Sequence, residues 1–263
     1  MGCRTIPKTR MIIPEHSRKI ILSVYNDFKQ NHPEVEDSDT AIINGEYASI
    51  LDYPFYANLR YKKYNSVLCG GTIVRPDVIL TAAHCIGHEF QVYVGISNDA
   101  DAKRAEAYDV KKIIKHPWHF GFALFDLALV KLNKSIHFGD NVEIGELATE
   151  NPPEDEQVTI IGFGVPICDK IDTETNRCKS DVSDHLRYAD MIVTDVALGV
   201  IYSSGENQNA CFGDSGGPML YDGKIVGVAS RVDEFNCTGG NAYTSVASNK
   251  RWIHRQLKKL KKI

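Results

Sequence analysis

From Ile42 onward the chain is broken by turn residues into short β-branched and aromatic runs, and this pattern limits its fold more than any other feature. "PFYANLRY", "CGGTIVRPDVILTAAH", "FQVYVGIS", "DLALVKL", "QVTIIGFG" and "KIVGVASRV" are examples. Runs of this kind at this spacing point to an all-β barrel or sandwich. Long helical periodicity returns only at the end, in "NKRWIHRQLKKLKKI". There Trp252, Ile253, Leu257 and Leu260 form one stripe, with lysines and arginines opposite. The segment reads as a docking C-terminal helix with a solvated basic face, an anionic-surface or heparin-binding tail being the alternative. The 263 residues suffice for one domain of about 200–250 residues or two smaller ones.

Residues 1–41 differ from the rest. "HSRKIILSVYNDF" places Ile20, Ile21, Val24, Tyr25 and Phe28 on one helical face, with Ser17 as a cap and Pro33 as a stop. The acidic, turn-rich "PEVEDSDT" then reads as an exposed linker. A helix docked on the main domain and a removable pro-segment both fit this composition.

The net charge of −4 leaves no basic surplus for a nucleic-acid partner. No apolar run approaches the length that spans a bilayer. Six of the seven cysteines fall in three local groups, Cys69 and Cys85, Cys168 and Cys178, Cys211 and Cys237, as three disulfides would; Cys3 stands apart. That grouping favours an oxidising compartment, although no signal peptide is evident at the N-terminus.

A serine hydroxyl needs a base, a group that orients the base, and donors for the oxyanion that forms. Ser215 in "ACFGDSGGPML" has glycines around it that let backbone amides converge, and the amides of Gly213 and Ser215 can point at one spot. His84 in "LTAAHC" is the candidate base. Asp126, which opens "DLALVKL", is a carboxylate heading an apolar strand and needs a partner such as an imidazole N–H. His116 and His119 flank Pro117-Trp118 in a loop and show no such setting.

"LTAAHC", "DLALVKL" and "GDSGGP", in that order, resemble the chymotrypsin-like (trypsin/elastase) serine endopeptidases over about residues 42–258. The resemblance implies two six-stranded antiparallel β-barrels with a C-terminal helix, preceded by a partly helical pro-segment over 1–41, the protease domain being 42–263. It implies hydrolysis of peptide bonds through an acyl-enzyme, with His84 as base and acid, Asp126 as its orienting carboxylate and Ser215 as nucleophile. Gly213 and Ser215 would form the oxyanion hole, and Ser230 would lie beside the aspartate. "IINGE" resembles the family's activated N-terminus. A cut between Ala41 and Ile42 would free an amine to pair with Asp214.

The resemblance also implies disulfides Cys69–Cys85 and Cys211–Cys237, with a local Cys168–Cys178 bridge. Asn209 would sit at the base of the substrate pocket, with Ser230 and Val232 on one wall and Asn241 near the other. The uncharged Asn209 and the narrowing Val232 and Asn241 imply an elastase-like preference for small residues. Ile96 stands where a calcium-binding relative has its first carboxylate, so neither metal nor cofactor is expected. The reading is a secreted monomer that acts on protein or peptide substrates, meets protein inhibitors, and engages neither nucleic acid nor membrane. Its alternative is a catalytically silent, protease-like binding protein, which the altered Ser230-Arg231-Val232 strand would suit.

Overall fold

The computed structural model describes residues 42, 44–119, 123–164, 183–205, 208–232, 237 and 239–261. The expected helix within 1–41, Ala41, Cys3, Cys168 and Cys178 lie outside the described residues.

Thirteen strands and two helices follow one another among these residues. They are β1 (Glu46–Tyr47), β2 (Tyr56–Tyr61), β3 (Val67–Arg75), β4 (Val78–Thr81), β5 (Phe90–Val94), α1 (Asp99–Ala102), β6 (Tyr108–Lys115) and β7 (Ala128–Leu132). Then come β8 (Gln157–Gly162), β9 (Arg187–Ala197), β10 (Val200–Ser204), β11 (Pro218–Tyr221), β12 (Lys224–Val232), β13 (Asn241–Ser245) and α2 (Val246–Leu260).

The first six long strands close into an antiparallel barrel in the order β2-β3-β4-β7-β6-β5. The second sheet runs β9-β10-β13-β12-β11-β8, and pairing of β8 with β9 closes it as well, with β1 added beside β9. Two six-stranded barrels therefore make the domain. Closure leaves few open edges, so these hydrogen-bonding strands do not template pairing with other chains.

Strand sequences follow the burial each position meets. β4 (VILT) and β7 (ALVKL) are buried along their whole length, so they show no polar alternation. The middle of β9 alternates buried and exposed residues because one face meets water. At the C-terminus, α2 is capped by Ser245, whose Oγ accepts from Ser248 N at 3.0 Å. Its buried Trp252, Ile253 and Leu260 seat it on the domain, packed against β7 and β12.

The barrels touch through glycine. A Cβ on Gly70 would stand 2.8 Å from Gly217 Cα, so only a bare backbone permits this approach. The contact is fastened by Gly70 N donating to Ser215 O at 2.7 Å.

Disulfides join Cys69 to Cys85 and Cys211 to Cys237. The first closes a loop of 16 residues in sequence. Replacing both Cys69 and Cys85 by alanine is expected to cost about 3 kcal/mol of stability, measured by urea unfolding of the intact and substituted proteins.

Candidate active site

Strand register brings His84 and Asp126 together. β4 and β7 are antiparallel neighbours with Thr81 opposite Ala128. His84 lies three residues beyond Thr81 and Asp126 two residues before Ala128, so both leave the same end of the pair. Ala82 and Ala83, fully buried, let the chain turn there without a large side chain. His84 Nδ1 meets Asp126 Oδ2 at 2.6 Å, and His84 N donates to Asp126 Oδ1 at 2.9 Å.

The second barrel supplies a third contact. Between Ala229 and Arg231 the pairing of β12 with β13 slips by one residue, which makes Ser230 the extra residue of a β-bulge. Bulges re-aim side chains, and here Ser230 Oγ donates to Asp126 Oδ2 at 2.6 Å. Thr244 Oγ1 also crosses to Ala123 O, at 2.6 Å, just ahead of the aspartate.

Asp126 is buried, and burial alone would raise its carboxyl pKa. The His84 imidazole, the nearby His119 and the Ser230 hydroxyl outweigh that effect and hold it below the ordinary carboxylate value. His119 departs from the sequence reading. Its Nδ1 lies 3.3 Å from Asp126 Oδ1, within ion-pairing reach. Nothing in "HPWHF" signals this, because the approach depends on how that loop folds back. His116 is structural instead. It stacks on Phe125 at 4.8 Å and 7°, packs against Trp252 at 4.7 Å, and burial drives its pKa down to about 4.

Ser215 is held by backbone bonds on both sides. Gly70 N donates to its carbonyl, and Gly216 N donates to Ala229 O at 2.7 Å, next to Ser230. Gly216 has φ +77, and a Cβ there would stand 2.1 Å from Thr81 Oγ1 and 3.0 Å from Ala82 N. The serine loop is thereby laid against the strand end that leads to His84. Gly213, at φ 107, also uses a conformation that favours glycine.

Asp214 contrasts with Asp126. It too is buried, but among the described residues two backbone amides are what reach its carboxylate: Gly164 N to Oδ1 at 3.1 Å and Cys211 N to Oδ2 at 3.4 Å. Burial pushes its carboxyl pKa well above the ordinary value, and the Gly164 amide offsets that only in part. A Cβ on Gly162 would fall 1.6 Å from Asp214 Oδ1, so that glycine forms the wall of the niche. Ile42 is fully buried, in the core of the second barrel with Val158, Met191 and Tyr243.

The residues assigned to the pocket base are also brought together. Asn209 Nδ2 donates to Cys237 O at 3.0 Å and to Gly239 O at 2.7 Å. Asn241 Nδ2 donates to Asn209 Oδ1 at 2.6 Å, and Val232 is the register partner of Asn241 across β12 and β13. Asn241 Oδ1, Ser203 Oγ and Tyr243 Oη are buried with no hydrogen-bond partner among the described residues. The sequence showed the two asparagines separately but not their bond, which depends on the segment before Cys211 meeting β13.

Donor atoms of Cys69, His84 and Cys85 lie within 4.8 Å of one another. Both sulfurs are committed to the disulfide, so the group lacks the thiolates a metal would need.

The trypsin family model matches residues 42–253. The chain is 30 % identical over 234 residues to Mast cell protease 3 of Ovis aries, covering 84 % of this chain and 90 % of that protein. It is 28 % identical to Chymotrypsin-like elastase family member 3A of Homo sapiens, covering 86 % of this chain and 92 % of that protein. Among solved structures, neuropsin, a serine protease expressed in the limbic system of mouse brain, shares the fold with a TM-score of 0.71 at 22 % identity, over 82 % of this chain and 99 % of that one. The chain belongs to the trypsin family, in its chymotrypsin-like fold, and is a serine endopeptidase.

Proposed function

We propose that this endopeptidase acts through His84, Asp126 and Ser215, is made as a zymogen cut between Ala41 and Ile42, and prefers small residues before the scissile bond. The observation that carries the reading is the 2.6 Å contact of His84 Nδ1 with a buried, ionised Asp126. It fixes the tautomer, leaving His84 Nε2 as the acceptor for a hydroxyl proton.

Ser215 Oγ attacks the substrate carbonyl carbon while His84 Nε2 takes its proton. Asp126 stabilises the imidazolium that results. The oxyanion is met by the amides of Gly213 and Ser215, each such donor being worth about 3–4 kcal/mol. Collapse of the tetrahedral species breaks the C–N bond, and His84 gives its proton to the leaving amine. Water then repeats the sequence on the acyl-enzyme. Family membership supports protein substrates and an extracellular setting. The proposed enzyme works as a monomer, and protein inhibitors would occupy the same cleft.

Asp214 supports activation by cutting. Its niche offers two amides and no cation among the contacts described above, so an ionised Asp214 destabilises the uncut chain. A new Ile42 amine would supply the missing charge. In the proposed pocket, the bond between Asn209 and Asn241 sets two neutral amides, rather than a carboxylate, at the base, which supports a preference other than Arg or Lys.

Three measurements test the proposal. A fluorophosphonate should label protein cut after Ala41 and should fail on Ser215→Ala; failure on correctly cut wild type would establish the silent binding protein instead. Because the Asp214 pKa is raised, its ionisation costs stability as pH climbs from the unfolded value of about 3.9. Uncut Asp214→Asn is therefore expected to be more stable than uncut wild type at pH 7, the difference fading near pH 3. In the cut protein the substitution removes one partner of the proposed buried pair, and a loss of about 3–5 kcal/mol is expected in thermal or urea unfolding. On a peptide library, Ala and Val should exceed Arg and Lys at the cleaved position by at least about tenfold, or about 1.4 kcal/mol; dominance of Arg or Lys would refute the small-residue preference.

A further inference from the structure

Helix α2 and the residue after it hold six of the chain's 30 lysines and arginines and none of its 34 acids. Lys250, Arg251, Arg255, Lys258, Lys259 and Lys261 are all exposed, together with His254. At 100° per residue they share one side of the helix, opposite Trp252, Ile253 and Leu260. At 1.5 Å per residue the strip runs about 16 Å from Lys250 to Lys261.

Elsewhere the protein pairs many of its cations. Arg60 meets Asp99, Lys62 meets Asp109, Lys131 meets Asp77, Lys134 meets Glu106 and Lys224 meets Glu146. On the helix, no cation meets a carboxylate among the described residues, and Lys250 Nζ donates to Thr149 O at 2.9 Å. Like charges one turn apart, such as Arg251 with Arg255 and Arg255 with Lys259, disfavour a helix. The helix terminus compensates only the cations at its end, Lys258 and Lys259 in the last turn and Lys261 at the C-cap.

The strip is also held rigidly. Ser245 caps the helix start, Arg75 Nη1 donates to Leu257 O at 2.8 Å, and Trp252 packs on His116. A partner would therefore find its cations already arrayed and would pay mainly for ordering their side chains.

The chemistry of this face selects among polyanions. Lipid insertion needs outward apolar residues, and the exposed large apolar residues (Tyr47, Leu51, Tyr64, Phe138, Ile144, Ile192 and Leu198) all lie off the helix. Single-stranded nucleic acid is gripped by successive stacking rings, and this face exposes a single one, the imidazole of His254. A linear sulfated polysaccharide needs only a straight row of cations, and it belongs to the extracellular setting of the family. We infer that the outward face of α2 is a docking strip for such a polysaccharide, separate from the residues proposed to act on substrate.

The test uses the full chain and a heparin oligosaccharide of defined length. Binding is expected at 0.15 M NaCl and should weaken as salt rises, through counterion release. The combined Arg255→Gln, Lys258→Gln, Lys259→Gln variant should lose at least about tenfold in affinity, and its slope of log Kd against log salt should fall by about three. These side chains are exposed, so the thermal midpoint should hold; a pair, Arg251→Gln with Lys261→Gln, gives an independent reading if it does not. Gln at Lys62, Lys63 and Lys112 should leave binding unchanged. Absence of binding by wild type, equal loss in that control, or tighter binding to DNA or to phosphatidylserine vesicles would overturn the inference.

Discussion

A carboxylate buried between two barrels can stay charged only if it is met from several directions, and Asp126 is. His84 reaches it twice, Ser230 reaches it from the other barrel, and His119 brings a further imidazole close. These donors come from β4's end, a bulge in β12 and a loop before β7. Their agreement requires both barrels to be closed and docked first. Gly70 and Gly216 permit that docking because a Cβ on either would strike the opposite barrel. The geometry proposed to work on substrate is thus a consequence of barrel packing rather than of any local motif.

Two buried carboxylates in this domain are driven in opposite directions. Asp126 is held below its usual range because two imidazoles and a hydroxyl surround it. Asp214 is pushed above its range because the described contacts offer it only amides. The difference lies in the company each keeps, since both are buried. On the proposed reading it is also functional. One acid is satisfied when the chain folds, while the other awaits a charge made by a later cut, and the Ser215 loop beside it follows.

Much of the fold could be read from the residues. Mostly apolar runs such as VILT and ALVKL are the strands buried along their whole length, and the Trp252–Leu260 stripe is the seated side of the last helix. The words around His84, Asp126 and Ser215 marked the candidate site because together, and in that order, they resemble the family's motifs, and a carboxylate heading an apolar strand needs a partner. His119 could not be read this way. It looked like a second loop histidine beside His116, yet one touches the buried acid while the other stacks on Phe125. Nor was the bond between Asn209 and Asn241 legible, since 31 intervening residues hide it.

The sequence by itself determined the strand-rich class, the closing helix, its basic residues with no acid among them, and the order His84, Asp126, Ser215. These depend on side-chain type and on spacing along the chain, which the letters carry directly. Only the tertiary structure decided that the second sheet closes through β8 and β9, that Ser230 is the bulged residue, and which groups surround each buried carboxylate. Register and electrostatic environment are sums over residues far apart in the chain, and those sums exist only once the barrels have met.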